Sequence, residues 1–176
     1  MRTIMADTNV PPVPDGAEDL TKQGIDVLIN TLHNNADPTI RRHAAYLLGN
    51  ARTTQAIRPL IEALGDLDKS VREQAMLALV ATGKAATEPL AAAMKDPRWE
   101  TRYRAAEALG ILADEKAVKP LVWGLKDNRD HVRYMAAKGL KDLGDSNTID
   151  PLIILLKDEN RLVRLMTVRA LTAIGG

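Results

Sequence analysis

The chain has 176 residues, with 24 basic and 23 acidic side chains and a net charge of +1, so no global field favours nucleic acid or an acidic membrane. It has no cysteine, which excludes disulfides, thiolate metal sites and cysteine nucleophiles. Apolar residues make up 45% of it but aromatic ones only 3%, and phenylalanine is missing. Such a core of Ala, Leu, Ile and Val suits helices packed closely on one another.

Residues 1–16 hold Pro11, Pro12, Pro14 and Gly16 without periodicity and read as a disordered tail. This start lacks the continuous apolar segment of a signal peptide, and no apolar run is long enough to span a bilayer. The expectation is a cytoplasmic protein that does not engage a membrane. Residues 17–176 read as a single all-α domain. Its first helix, predicted over 18–34, places Leu20, Ile25, Leu28, Ile29 and Leu32 on one stripe. It ends in LINTLHN, like the second helices further on, and is read as a capping half-repeat.

Two markers then recur. An arginine falls at Arg41, Arg72, Arg102, Arg133 and Arg164, with spacings of 31, 30, 31 and 31. A proline falls at Pro59, Pro89, Pro120 and Pro151, spaced 30, 31 and 31. Independent markers that keep one period indicate a solenoid. The repeats run over about 35–65, 66–95, 96–126 and 127–157, with a terminal half-repeat over 158–176. Each repeat reads as two helices. In the third, Arg102, Ala105, Ala106, Ala108 and Leu109 carry the first helix, and Val118, Leu121, Val122 and Leu125 carry the second.

Proline in a first helical turn loses no hydrogen bond, because that N–H has no intrahelical partner. Thr53, Asp114 and Asp145 stand where N-caps belong, with Gly83 a weaker occupant. Asp66, Asp96, Asp127 and Asp158 close the second helices. The last first helix, predicted from Asn160 to Ile174, has no successor. Its Val163, Val168, Leu171 and Ile174 are expected to leave apolar surface uncovered, so that either this edge self-associates or the helix packs differently from its siblings.

The segments VREQAMLAL, TRYRAAEALGIL and VRYMAAKGL, each followed by a Pro-Leu helix and a closing Asp, resemble HEAT repeats. The likeness is to the short, 31-residue HEAT-like type found in phycobilisome lyases, and it covers roughly 18–174. It implies a right-handed α-solenoid of about ten helices, with second helices lining a concave, protein-binding face. The resemblance speaks for the fold and says little of activity, since the matched residues serve packing and turns.

On the second helices the variable positions are the candidate contacts. One residue before each proline come Arg58, Glu88, Lys119 and Asp150; three after it come Glu62, Ala92, Trp123 and Ile154. With helices 8–10 Å apart, these columns form a strip roughly 30 Å long. Trp123 and Ile154 rimmed by Lys119 and Asp150 have the make-up of a binding hot spot. Trp99 reads instead as a staple on the preceding repeat. The arginine column could track phosphates, and some HEAT-like proteins are DNA glycosylases. Its recurrence together with Asp66, Asp96, Asp127 and Asp158 favours a structural ladder of charged hydrogen bonds.

Di-iron hydroxylases of similar fold bind metal through His-Glu pairs, whereas His33, His43 and His131 precede Asn34, Ala44 and Val132. A metal site needs converging ligands, so no metal or other cofactor is assigned, and each histidine reads as a surface or turn residue. No nucleophile elbow, phosphate loop or H-E-x-x-H occurs, and no catalytic residue is assigned. The reading is a non-catalytic scaffold for an unidentified protein partner. The alternatives are a lyase or accessory enzyme acting on a bound cofactor, and nucleic-acid binding.

Overall fold

The computed structural model describes residues 24–175, so the expected tail and the first part of the expected capping helix lie outside the described residues. Among the described residues there are ten α-helices and no strand. The half-repeat is α1 (Ile25–Asn34). First helices are α2 (Pro38–Ala51), α4 (Lys69–Thr82), α6 (Trp99–Leu112), α8 (Asp130–Leu143) and α10 (Arg161–Gly175). Second helices are α3 (Ile57–Ala63), α5 (Thr87–Ala93), α7 (Val118–Gly124) and α9 (Ile149–Ile153).

The second helices are half the length of most first helices, 7 residues in α7 against 14 in α6. A 3-10 turn leads into each, and a side-chain oxygen caps three of these turns. Thr53, Asp114 and Asp145 accept from the backbone N–H of Gln55, Lys116 and Asn147 at 3.3, 3.1 and 2.9 Å. In the second repeat Gly83 takes the place of a cap, and its φ of 81° requires glycine.

The core is leucine and alanine. Leu48, Leu60, Leu79, Leu90, Leu109, Leu121, Leu140 and Leu152 are fully buried, each worth about 2 kcal/mol in apolar area withdrawn from water. Ala44, Ala45, Ala75, Ala105, Ala106, Ala136 and Ala137 let the first helices approach closely. At the tightest point a Cβ on Gly110 of α6 would stand 2.7 Å from the Cα of Gly139 on α8. First helices therefore pack extensively on one another, while second helices touch each other little.

The recurring arginine ties each turn to the next. Arg102 donates through Nη1 to the carbonyls of Asp96 and Pro97 at 2.9 and 3.1 Å. Its Nε and Nη2 reach forward to the Asp127 carboxylate at 2.6 and 2.8 Å. Arg41 holds Asp66 in the same way, and Arg133 holds Asp158. The carboxylate also accepts the N–H two residues on, as Asp127 does from Arg129 at 2.9 Å. Hydrogen bonding to these carboxylates raises the Arg41, Arg102 and Arg133 pKa values, against the desolvation that lowers them.

Two rungs differ from the expectation. Arg72 reaches the carbonyls of Asp66 and Leu67 but forms no ion pair with Asp96. The paired rungs join residues 25 apart, whereas the short second repeat leaves Asp96 one residue closer to Arg72. Asp96 is taken by Arg98 instead, at 3.0 Å from both Nε and Nη2. Among the described residues Arg164 donates only to the carbonyls of Asp158 and Glu159.

Three further expectations are corrected. His43 is neither a surface nor a turn residue: it is 4% exposed and stacks on Tyr46. Its burial, with Arg42 nearby, lowers its pKa. On α10, Val163 is buried, and Leu171 and Ile174 pack against the core. Val168 is uncovered as expected, but its exposed apolar neighbours are Leu162 and Leu165, because the helix turns Val163, Leu171 and Ile174 inward. Trp99 stacks forward: its ring lies 5.3 Å from that of His131 and 5.0 Å from the Arg129 guanidinium, both in the following repeat.

Removing one partner of the Arg102–Asp127 pair leaves a charge stranded in a poorly hydrated turn. Arg102→Ala should cost about 3 kcal/mol, and Arg72→Ala, which strands no carboxylate, about half that. Urea denaturation of the two variants measures the difference, and equal losses would refute the ladder as described. His43 gives a pH signature. Its folded pKa lies below the ordinary 6.5, so its contribution is complete above that value. As the pH falls through it, the unfolded chain takes up a proton that the folded one resists, and stability drops. The melting temperature should decline from about pH 6.5 downward, above the range where carboxylates titrate. His43→Gln should flatten that limb.

Candidate protein-binding surface on the second helices

Each second helix presents three outward positions separated by four and then three residues, which places them on one helical face. On α7 and its closing turn these are Lys119, Trp123 and Lys126. The matching sets are Arg58, Glu62 and Gly65; Glu88, Ala92 and Lys95; and Asp150, Ile154 and Lys157. All eight candidate contacts, Arg58, Glu62, Glu88, Ala92, Lys119, Trp123, Asp150 and Ile154, are exposed. Trp123 is 51% exposed and Ile154 68%, high values for side chains of this kind.

The third column, Gly65, Lys95, Lys126 and Lys157, is one that the sequence reading passed over. A lysine at the end of a short helix reads as a partner of the helix dipole, and nothing local separates that role from contact with a ligand. The column's first member lacks a side chain, and Arg98 fills its place. A Cβ on Gly65 would meet the Arg98 guanidinium at 2.0 Å.

Because the second helices stand apart, open clefts separate them. One, of about 380 Å³, is lined by Lys95, Pro97, Trp123, Lys126 and Asn128, with Asp96, Arg102 and Asp127 of the ladder at its base. The next, of about 320 Å³, is mainly apolar: Val122, Leu125, Pro151, Ile154 and Leu155, with Lys126 and Asp150 at the rim. Lys126 belongs to both. Trp123 and Ile154 thus stand over neighbouring clefts and do not form a single anchor.

Charges divide the strip in two. In the N-terminal half they are paired: Glu62 with Arg58 at 3.2 Å, and Glu88 with Lys116 at 2.8 Å. The Lys116 ammonium holds the Glu88 carboxyl below its ordinary value. The Arg98 guanidinium does the same for Asp96. From the end of the second repeat onward, among the described residues, Lys95, Lys119, Lys126 and Lys157 form no ion pair, whereas Lys116, Lys138 and Lys141 do.

The opposite face carries a second cluster that was not anticipated. Tyr103, His131, Tyr134, Leu162 and Val163 line a cavity of about 240 Å³ between α6, α8 and α10. Asp130 there accepts from His131 Nδ1 at 2.7 Å and from Asn160 Nδ2. Its members come from three repeats, so no local motif announces it.

A family model for HEAT repeats matches residues 25–91, 68–131 and 118–176. The chain belongs to the HEAT-repeat family. Among solved structures, this HEAT-repeat chain is similar to the complex of CpcE and CpcF of phycocyanin lyase from Nostoc sp. PCC7120. The identity is 23% and the TM-score 0.63, over 86% of this chain and 65% of that one. The chain thus spans somewhat under two thirds of the lyase chain's length. It is also similar to human deoxyhypusine hydroxylase in complex with glycerol, at 20% identity and TM-score 0.56, over 86% and 73% of the two chains. A designed armadillo repeat protein in complex with a (KR)4 peptide has 19% identity and TM-score 0.56, over 89% and 84%. At these identities the likeness concerns the fold alone. A comparison with curated proteins gives no match.

In this HEAT-repeat chain no group of three or more His, Cys, Asp and Glu side chains among the described residues converges as a metal site would require. No helix among them is long and apolar enough to cross a membrane. Three of the column's arginines, Arg41, Arg102 and Arg133, spend their guanidinium edges on carbonyls and carboxylates, whereas among the described residues Arg72 and Arg164 bond only to carbonyls.

Proposed function

We propose that this HEAT-repeat chain is a non-catalytic scaffold that holds a protein segment along its second helices, the side that the family turns concave. The observation that supports the reading is the pair of exposed apolar side chains, Trp123 and Ile154, each over an open cleft on that face. Large apolar groups left in water at neighbouring clefts gain most from a partner that covers them. The structural likeness to a designed armadillo repeat protein that binds a peptide is in keeping with it. Arg58, Glu62, Glu88, Ala92, Lys119 and Asp150 would contribute the polar surround and set selectivity.

A strip of about 30 Å accommodates an extended segment of about ten residues. Phage display of random peptides of that length on the immobilised chain should enrich binders. Trp123→Ala with Ile154→Ala should weaken them roughly thirtyfold, the effect of losing about 2 kcal/mol at a hot spot. The melting temperature should hardly change, because both side chains are solvated in the free protein. Binders indifferent to the double substitution, or a large loss of stability from Trp123→Ala alone, would overturn the assignment.

A further inference from the structure

We infer that the segment held on this surface is acidic, with Asp or Glu side chains flanking an apolar one. The inference rests on the second-helix binding surface proposed above and assigns its chemistry.

Three of the four inter-repeat turns place a lysine immediately before the ladder aspartate: Lys95–Asp96, Lys126–Asp127 and Lys157–Asp158. An adjacent acid would ordinarily offset the lysine's charge. Here the acids are spent elsewhere. Asp127 gives both oxygens to Arg102, and Asp158 both to Arg133. Their side chains are only 5% and 7% exposed. Asp96 gives both oxygens to Arg98. The carboxylates of these turns are therefore taken by arginines, and the lysines beside them stay unpaired at the surface.

Those lysines stand beside the apolar groups. Lys95 and Lys126 line the Trp123 cleft from two successive repeats, and Lys126 also borders the Ile154 cleft. Lys119 lies one helical turn before Trp123 on the same face. The helix dipole accounts for the recurrence of lysine at helix ends. It does not account for Lys119, which stands at the opposite end of α7. Asp150, the one carboxylate rimming the Ile154 cleft, lies at the helix-start edge, away from the lysine column. A segment carrying carboxylates along the turn edge and an apolar side chain in the cleft would satisfy both features. A basic segment would meet four uncompensated ammonium groups.

The test uses the full chain and the same random peptide library, with sequencing of the enriched pool. Enrichment in Asp and Glu beside an apolar residue is expected. The selected peptides should bind more weakly as salt rises. They should lose roughly tenfold in affinity to Lys95→Glu with Lys126→Glu, two rim charges being replaced by repulsive ones. That variant should enrich Lys and Arg instead. A wild-type pool without acidic bias, or a basic one, overturns the inference; if its binders still need Trp123 and Ile154, the binding surface itself stands. Binders that need neither overturn both. Oligo(dT) retained by wild type and released by the lysine reversal, with no acidic peptide enriched, would assign the column to phosphates and overturn the acidic segment.

Discussion

The arginine of each first helix is the interaction on which the rest of the array depends. One guanidinium donates backward to the carbonyls of the turn that precedes its helix and forward to the carboxylate of the next turn. It thereby fixes the distance between successive turns, and with it the stacking of one repeat on the next. Carbonyls at the C-terminal ends of short helices lack intrahelical partners, so the backward bonds also satisfy groups that would otherwise need water. The forward pair is nearly withdrawn from solvent, where a charge is tolerable only if paired and hydrogen-bonded. Both conditions are met, because the carboxylate oxygens are shared between the guanidinium and the backbone of their own turn.

Where the spacing fails, the consequences show how exact that requirement is. The second repeat is one residue short, and its Arg72 keeps the backward bonds while losing the forward pair. Asp96 then recruits Arg98, whose guanidinium extends over Gly65. A side chain at position 65 would occupy the same space. The departure in one repeat and the missing side chain in the previous one are thus parts of a single local solution.

The repeat, the helix pairs and the inward leucines could be read from the sequence because they depend on spacing alone. So could the exposure of the second-helix candidates, which follows from helical period once the leucines are assigned inward. The rest depends on contacts between repeats that no local pattern reports. Nothing in the composition around His43 distinguishes a buried imidazole from an exposed one; its position on a face packed by alanines decides it. Trp99 turned forward because Arg129 and His131 of the following repeat offer a cation and a ring. On α10 Val168 faces out as expected, but it does so beside Leu162 and Leu165, while Val163, Leu171 and Ile174 face in, a difference of rotation about the helix axis.

The sign of the exposed surface is the feature least legible in the sequence, for a reason that reaches beyond this chain. A net charge of +1 weighs every ionisable group equally, whereas a partner meets only those that remain solvated and unpaired. Burying arginine–aspartate pairs removes equal numbers of each sign from view and leaves the total unchanged. What remains outside need not be balanced locally. On the second-helix face the N-terminal half retains its own pairs, and the C-terminal half retains lysines whose neighbouring acids have been drawn into the ladder. The interaction that holds the repeats in register therefore also sets the sign of the surface they present, and a nearly neutral chain can carry a basic strip.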